Sequence, residues 1–408
     1  SANAGAGFSA QVDLGALFLE RSLALTRDDG TLALLLPAKM WRALAGGGAR
    51  RLLRTGAHVL ALDDWSESPA AFDAAVYPSL VVAHKGAGSE APSILASLHR
   101  KRDVLRWCVA PARLSLDADP ASPWVAIPPP VRDAFDRVSR AGIPIAETEI
   151  GAPMLGVKCG CNDAFIVTRQ ERDVTTAGED DGLARVRAGE RVGRIERDML
   201  RPLLRGEGTA PWRATPSDAS IIWTHDACGA VMPSLPSNAG RWLARWRGRL
   251  VARSDARAGG AWWTLFRTPA ASPARARVVW ADMGRTPRAL LLPAGDPTVP
   301  LNSCYVAACD DELDALALTA LLNSSLAAAW LHVLAEPARG GYHRYLGWTM
   351  ALLPLPRDWS RAREILAPLA RRAMDGDVPD ACELLDAATR AYRLRAADVA
   401  PLIGWAAR

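Results

Sequence analysis

Arginine is the residue type in this sequence with the clearest chemical potential, because a guanidinium group can form bidentate hydrogen bonds with phosphate oxygens and with guanine. The chain has 45 arginines against four lysines, so the count alone reflects composition as much as function. Position is more informative, since residues 201–290 contain 14 arginines and five acidic residues. The net charge of the whole chain is +5. Because residues 201–290 carry a net charge of +9, the rest of the chain has a net charge of −4. A basic middle in a weakly acidic chain predicts a phosphate-facing surface.

Histidines and cysteines do not show the spacing of a metal site. His225 and Cys228 are three residues apart with no second pair, and Cys159 and Cys161 are too close for a CxxC motif. No Ser-His-Asp order can be argued, and no nuclease-like cluster of carboxylates and lysine is visible. We therefore expect no metal, and we expect reduced cysteines in a cytoplasmic protein without a signal peptide.

One apolar stretch, residues 315–335, is long enough to span a bilayer and contains no charged residue. Three polar residues interrupt it in a row, at Asn323, Ser324 and Ser325, and basic flanks are missing. We therefore expect a buried helix rather than a membrane span, and no membrane partner.

The first hundred residues alternate between helix and strand patterns. Residues 31–36 form a short, almost wholly apolar run that is typical of a strand buried on both faces. In residues 12–25 the spacing places Leu14, Leu17, Phe18 and Leu25 near one helix face. The sequence also predicts a helix over 39–53, strands over 58–62 and 76–83, and a helix over 131–141.

From residue 151 the pattern changes to short strands and loops rich in proline, glycine and tryptophan. One long helix is predicted over 313–335, and two or three helices over 360–408. The predicted fold class is α/β, with a partial sheet first, then a mixed α/β domain, then C-terminal helices. The predicted segments are 1–110, a connection at 111–150, a domain at 151–358 and a helical end at 359–408.

Nine short motifs follow one another in an order that is hard to assign to chance. They are DLxxLFLER with GTLALLLP (13–37), FDAAVYPSLVV (72–82), GVKCGCNDAF (156–165), LRPLLRG (200–206), IIWTH (221–225), VVWADMGR (278–285), LLNS (321–324), RGGY (339–342) and LPLP (353–356). This order resembles N6-adenine DNA methyltransferases of the type IIG restriction–modification and phage-defence kind. The likeness covers the C-terminal half of the catalytic domain, with its Rossmann-like sheet, and the target-recognition domain.

The resemblance implies an S-adenosylmethionine-dependent enzyme that methylates adenine in double-stranded DNA. Two motifs that this chemistry needs are missing from the chain. One is the glycine-rich loop that holds S-adenosylmethionine, and the other is the (N/D/S)PP(Y/F/W) loop that receives the flipped adenine. Pro128-Pro129-Pro130 lies downstream of the hairpin and no aromatic residue follows it. We therefore expect no catalytic residue in this chain, and no methylation by it alone.

The first apolar strand should lack a neighbour for the same reason. In the resembled family the fifth strand pairs with the fourth, and this chain begins about where the catalytic loop has just been passed. Residues 31–36 would then form an exposed apolar edge, which natural proteins avoid. We expect a fragment whose missing N-terminal half completes it. The alternative is a DNA-binding specificity subunit that works with a separate catalytic chain, and a third possibility is a degenerate relative that does not bind DNA.

Seven residues are candidates for the site. Phe72 matches the position where the family places an aromatic ring against the extruded adenine, although a core phenylalanine at a hairpin is an equal alternative. The DNA-binding candidates are Lys158, Arg285, Arg288, Arg339, Tyr342 and Arg344. For Lys158 the alternative is a loop cap, and for the basic turn at 339–344 it is a solvated turn. A further arginine-rich stretch, 241–249, fits a plain amphipathic helix packed by two tryptophans at least as well.

Overall fold

The structure of the protein is a computed structural model that describes residues 13–68, 77–86, 93–100, 103–170, 182–227, 229–253, 260–338 and 340–407. The helices are α1 (Leu14–Leu25), α2 (Lys39–Arg42), α3 (Gly47–Gly56), α4 (Pro129–Ala141), α5 (Asn162–Phe165), α6 (Ser237–Ala244), α7 (Arg247–Val251), α8 (Glu312–Asn323), α9 (Ser325–Leu334), α10 (Gly347–Ala351), α11 (Trp359–Met374), α12 (Ala381–Ala391) and α13 (Ala396–Ala406).

The strands are short except in the first sheet. They are β1 (Thr31–Pro37), β2 (Ala57–Glu67), β3 (Pro78–Lys85), β4 (Ile94–Arg100), β5 (Asp103–Val109), β6 (Gly142–Pro144), β7 (Met154–Leu155), β8 (Ile166–Arg169), β9 (Leu183–Ala188), β10 (Arg191–Glu196), β11 (Leu200–Leu204), β12 (Thr209–Ala210), β13 (Arg213–Ala214), β14 (Ala219–Ile222), β15 (Ala276–Ala281), β16 (Met283–Gly284), β17 (Leu290–Leu292), β18 (Val299–Pro300), β19 (Cys304–Cys309), β20 (Glu336–Ala338), β21 (Tyr342–Arg344) and β22 (Pro354–Pro356).

The chain forms two compact units, each built from separate segments. Unit 1 comprises Ser1–Arg140, Ala329–Arg344 and Leu394–Arg408, and unit 2 comprises Ala141–Ala328 and Tyr345–Arg393. The α/β fold class predicted from the sequence is confirmed, with several sheets and helices at the C-terminal end. The four-segment division predicted above stays a prediction.

Unit 1 is organised around a five-stranded sheet of order β1-β3-β2-β4-β5. The pairs β1–β3, β2–β3 and β4–β5 are antiparallel, and β2–β4 is parallel. The core between this sheet and its helices is aliphatic, with Leu19, Leu53 and Val81 wholly buried. Two stacked indoles close one end, since the rings of Trp41 and Trp124 lie 4.9 Å apart and nearly parallel.

Strand β1 stands at the edge of this sheet and pairs within the described residues only with β3. The prediction that it is buried on both faces is wrong. Leu32 and Leu36 are buried, but Leu35 on the opposite face is 47% exposed. An apolar run is ambiguous in this respect, because it fits one covered face as well as two.

Helix α1 buries a different face from the one predicted. Its buried residues are Ala16, Leu19 and Leu23, whereas Leu14 is 80% and Phe18 63% exposed. The helix is apolar nearly all round, so the spacing of leucines alone does not select a face. Both α1 and the neighbouring β1 thus present large apolar side chains to solvent.

The helix predicted over residues 39–53 is broken into α2, a 3₁₀ turn at Leu44–Gly46 and α3. Ala43 has an extended backbone at ψ 147°, which ends α2. A buried guanidinium bridges the break: Arg50 in α3 donates to the carbonyl oxygens of Met40 at 2.6 Å and Ala43 at 2.8 Å. It also donates to the Ala121 carbonyl at 2.7 and 3.0 Å, and its burial lowers its pKa to about 10.

Unit 2 contains a six-stranded sheet of order β10-β9-β8-β14-β11-β18 and a four-stranded sheet of order β17-β15-β19-β7. Helix α6 lies over the first sheet and buries Trp242 beside Trp246. Helix α11 packs against α8 and α12, and Trp359 donates from Nε1 to a carboxylate oxygen of Asp314 at 2.8 Å. The prediction of two or three helices over 360–408 is confirmed by α11, α12 and α13.

The prediction of a single helix over 313–335 is wrong, because the helix is interrupted at Ser324, between α8 and α9. Ser324 has an extended backbone at ψ 148°, and its hydroxyl donates to the Leu321 carbonyl and accepts from the Ala327 amide. A serine that caps a helix in this way stops one helix and starts the next. None of the described helices alone is long and apolar enough to cross a membrane; α8 and α9 together pass on length and composition, with a 69° bend between them.

Replacing Arg50 should lower the stability of unit 1. In the Arg50→Met variant the carbonyl oxygens of Met40 and Ala121 lose the guanidinium donor and that of Ala43 keeps only the Gly46 amide, so we expect a loss of about 3 kcal/mol in the free energy of unfolding. Arg51 next to it is exposed and lies 3.8 Å from Asp119, so Arg51→Met should change stability by about 0.5 kcal/mol at most. Urea unfolding of both variants measures the difference, and equal midpoints would contradict the bridging role.

Candidate nucleic-acid interface

The GVKCGCNDAF segment holds Lys158 by its backbone. Lys158 and Phe266 exchange two backbone hydrogen bonds, at 2.9 and 3.0 Å. Arg253 is buried beside them and donates to the carbonyl oxygens of Cys159 at 2.5 Å and Trp262 at 2.8 Å. Gly160 has φ +65°, and a Cβ there would lie 2.9 Å from Arg253 Cδ, so the position requires glycine. The half-buried Lys158 therefore extends from a fixed backbone, and its role in DNA binding stays a prediction.

The segment from Asp282 to Ala289, named here the basic loop, carries Arg285 and Arg288. Arg285 is exposed and Arg288 half-buried. At one end the backbone N–H of Tyr345 donates to the Asp282 carbonyl at 2.8 Å, and its hydroxyl donates to the Arg285 carbonyl at 3.1 Å. Burial raises the pKa of the Tyr345 phenol, so the hydroxyl stays protonated as a donor.

Asn323 fixes the other end of the basic loop. Its Oδ1 accepts from the Ala289 amide and its Nδ2 donates to the Ala289 carbonyl, both at 2.9 Å. The Trp212 amide donates to the same carbonyl at 2.8 Å. The LLNS motif thus has a structural meaning that the sequence did not reveal, since it supplies the side chain that positions the basic loop. Asn323 and Tyr345 are positioning residues that the sequence analysis missed, and of the two only Asn323 belongs to a motif.

The arginine-rich stretch at 241–249 is a packed surface rather than a separate basic helix. Trp242 and Trp246 are 2% and 7% exposed, and α6 ends before Trp246. The guanidinium of Arg245 lies 5.1 Å from the Trp242 ring. The two tryptophans are packed as the amphipathic-helix interpretation required, but the single helix predicted for this stretch is wrong, because it is divided between α6 and α7.

Tyr342 and Arg344 lie on the antiparallel hairpin of β20 and β21 in unit 1, where both are exposed. Between them His343 turns inward, and its ring lies 4.5 Å from that of His332. Burial is the main cause that lowers the pKa of His332 to about 3 and that of His343 to about 4. Burial also raises the pKa of Glu336, which pairs across the hairpin with Arg344. Two neutral imidazoles therefore support the base of this hairpin.

The predicted site residues are divided between the two units. Lys158, Arg285 and Arg288 belong to unit 2, and Tyr342 and Arg344 to unit 1. Phe72 and Arg339 lie outside the described residues, so their roles stay predictions. In the described part of the chain no group of three His, Cys, Asp or Glu side chains could hold a metal ion.

The two hydrogen bonds between the Asn323 side chain and the Ala289 backbone form a clamp. Removing this clamp should loosen the basic loop without unfolding unit 2. In Asn323→Ala the Ala289 amide loses its acceptor, and we expect a local cost of about 1–2 kcal/mol. Hydrogen exchange of the Ala289 amide should speed up by about tenfold or more. Asn302 is exposed, so Asn302→Ala is the matched control and should leave this exchange unchanged. Unaltered exchange in Asn323→Ala would show that the loop is held without the clamp.

The two histidines predict a pH dependence of unit 1. Both are neutral in the folded protein, whereas in the unfolded chain they take up protons near their usual pKa of 6.5. The unfolded state therefore binds more protons below about pH 6.5, and stability falls as the pH drops from there towards about 4. Glu336, whose pKa is raised, offsets part of this loss. Urea midpoints at about pH 7 and pH 5 should differ less in His332→Gln/His343→Gln than in the wild type; an equal difference would contradict buried neutral imidazoles.

No protein-family model matches the sequence, and no curated protein sequence matches it significantly. Among solved structures, the fold is similar to that of the type IIL restriction-modification enzyme MmeI, solved in complex with DNA. The TM-score is 0.61 at 10% identity over 97% of this chain and 52% of MmeI. The type IIG restriction endonuclease BpuSI aligns with a TM-score of 0.35 at 12% identity, over 97% of this chain and 49% of its own. This chain spans about half the length of these structures, and it shares its fold with part of a restriction-modification enzyme.

Proposed function

We propose that this chain reads a DNA target sequence and supplies part of the catalytic domain of an S-adenosylmethionine-dependent adenine-N6 DNA methyltransferase in restriction–modification or phage defence. The observation that carries the proposal is the shared fold along 97% of the chain with an enzyme solved in complex with DNA. Support comes from the motifs, because GVKCGCNDAF, VVWADMGR and LLNS hold Lys158, Arg285 and Arg288 on fixed backbones. Positioned cations of this kind suit contacts with phosphates and base edges.

The glycines and prolines of the described residues do not form a site that fits S-adenosylmethionine. The glycine run of unit 1, Gly46 to Gly48, is used for packing and not for cradling a ligand. A Cβ on Gly46 would overlap the Met40 carbonyl oxygen, and one on Gly47 would lie 3.2 Å from Ala121. Pro129 and Pro130 begin helix α4 and do not form a base-binding loop. We therefore propose that this chain alone does not transfer a methyl group.

A partner for β1 is part of the same proposal. The strand offers one free edge among the described strands, with Leu35 exposed on its outer face. Phe18 and Leu14 on α1 expose further apolar surface. Unpaired edges with apolar side chains favour association with another strand. We propose that the missing N-terminal half of the enzyme, or a separate catalytic chain, pairs there.

The alternative, a specificity subunit, differs in where the missing motifs are encoded. It requires a separate polypeptide that carries the glycine-rich and (N/D/S)PP(Y/F/W) motifs and forms a stable complex with this chain. A neighbouring gene with those motifs favours the subunit, and an upstream reading frame continuous with this chain favours the single-chain enzyme.

Duplex DNA binding by the full chain tests the proposal. We expect binding whose affinity falls linearly in log salt, and a loss of about tenfold or more in Arg285→Ala/Arg288→Ala. The control variant Arg361→Ala/Arg371→Ala removes the same charge from exposed positions on α11 and should bind nearly as the wild type.

Two results would overturn the proposal in separate parts. A wild-type chain that does not bind duplex DNA would contradict target recognition. Methyl transfer from labelled S-adenosylmethionine by the isolated chain would contradict the incomplete catalytic domain.

A further inference from the structure

A groove of about 890 Å³ in unit 2 is lined by none of the described residues that the sequence analysis proposed as DNA-binding candidates. Several segments converge on it: the start of β8, the turn between β9 and β10, the end of β11, the approach to β14, and α7. Two of the motifs contribute to its wall. GVKCGCNDAF supplies Asn162 and Asp163, and LRPLLRG supplies Arg205.

Four arginines line this groove, and two of them are held by carboxylates. Arg249 contacts Asp163 at 3.0 Å, and Arg205 lies 3.6 Å from Glu207. These contacts orient the two guanidiniums at the wall of the groove. The remaining two, Arg187 and Arg191, come from the facing ends of β9 and β10.

Arg187 and Arg191 have positive charge available for a ligand. The Arg191 guanidinium lies 4.7 Å from the Trp246 ring, an interaction that leaves its charge uncompensated. Arg187 is exposed, and no described carboxylate forms a salt bridge with it. Arg185, two residues earlier on the same face of β9, is also exposed and extends the basic strip.

The rest of the lining combines one further carboxylate, that of Glu190, with hydroxyl groups that suit an extended anion. Three hydroxyl groups, those of Thr168, Thr215 and Ser217, face the groove as hydrogen-bond donors. Thr168 stands directly opposite Arg187 in the β8–β9 pairing. A compact nucleotide site would be mostly apolar and enclosed. Cations and hydroxyls spread along an open channel instead match the repeating phosphates of a nucleic-acid backbone.

We propose that this groove binds the sugar–phosphate backbone of the DNA whose target the chain recognises, as a binding region separate in sequence from the basic loop. The inference rests on the proposed function and adds its own residues to it. The groove contributes affinity that does not depend on sequence, because phosphates are the same at every base pair.

The test compares the salt dependence of DNA binding between matched variants of the full chain. In Arg187→Ala/Arg191→Ala the slope of log affinity against log salt should become shallower by about 0.9 for each phosphate that the protein no longer neutralises. Affinity should fall by the same factor on target and unrelated duplexes. The control Arg361→Ala/Arg371→Ala should keep the wild-type slope.

A single charge reversal guards against a folding defect. Arg187→Glu changes an exposed side chain that forms no salt bridge with a described carboxylate, so the chain should fold and bind DNA more weakly than the wild type at low salt. Circular dichroism and the thermal midpoint check the fold of each variant.

Each outcome separates the two proposals. If the wild-type chain does not bind duplex DNA, the proposed function itself is contradicted. Wild-type binding with an unchanged slope in the folded groove variants would overturn the groove alone. A changed sequence preference with an unchanged slope would also overturn it, because that result indicates base contacts.

Discussion

Buried arginines that donate to backbone carbonyl oxygens are the interaction on which both units depend. Arg50, Arg132, Arg253 and Arg277 are each less than a tenth exposed, and each donates to carbonyl oxygens of loops or helix ends. A chain with many short strands leaves many carbonyls without a strand partner, and burying them unpaired is costly. A guanidinium has five donors in a fixed plane and can satisfy several at once. Arginine therefore serves here as an internal connector as well as a surface charge.

This use of arginine changes what the charge distribution means. Arg253 and Arg277 lie inside unit 2, although both contribute to the surplus found in residues 201–290. Arg201 lies 4.2 Å from the Trp223 ring and is half-buried. The surface of the middle segment is thus less basic than its composition indicates. Of the four arginines that line the groove, Arg205 and Arg249 belong to that segment but lie near carboxylates, whereas Arg187 and Arg191 lie outside it.

Local sequence patterns predicted helices and strands well where hydrophobic spacing alone determined the element. The apolar strand at 31–36 and the terminal helices are where the sequence placed them. The prediction of a single helix at 313–335 was wrong because one serine can cap a helix in the middle of an otherwise unbroken apolar run. The face of α1 was wrong because an apolar helix does not reveal which side is covered. In the candidate site, the sequence identified Lys158, Arg285 and Arg288, but not Asn323 or Tyr345, which reach the basic loop across more than 30 residues. Contacts of that range are set by the fold and leave no local signal.

The hydrogen bonds between the Asn323 side chain and the Ala289 backbone have a consequence for how the sequence of the basic loop can vary. The amide side chain holds only a main-chain N–H and C=O, groups that every residue but proline offers. Tyr345 likewise holds the main chain at Arg285. The path of the loop is therefore independent of the side chains it displays at 285 and 288. Evolution can exchange those side chains, and with them the preferred ligand, while the scaffold stays the same.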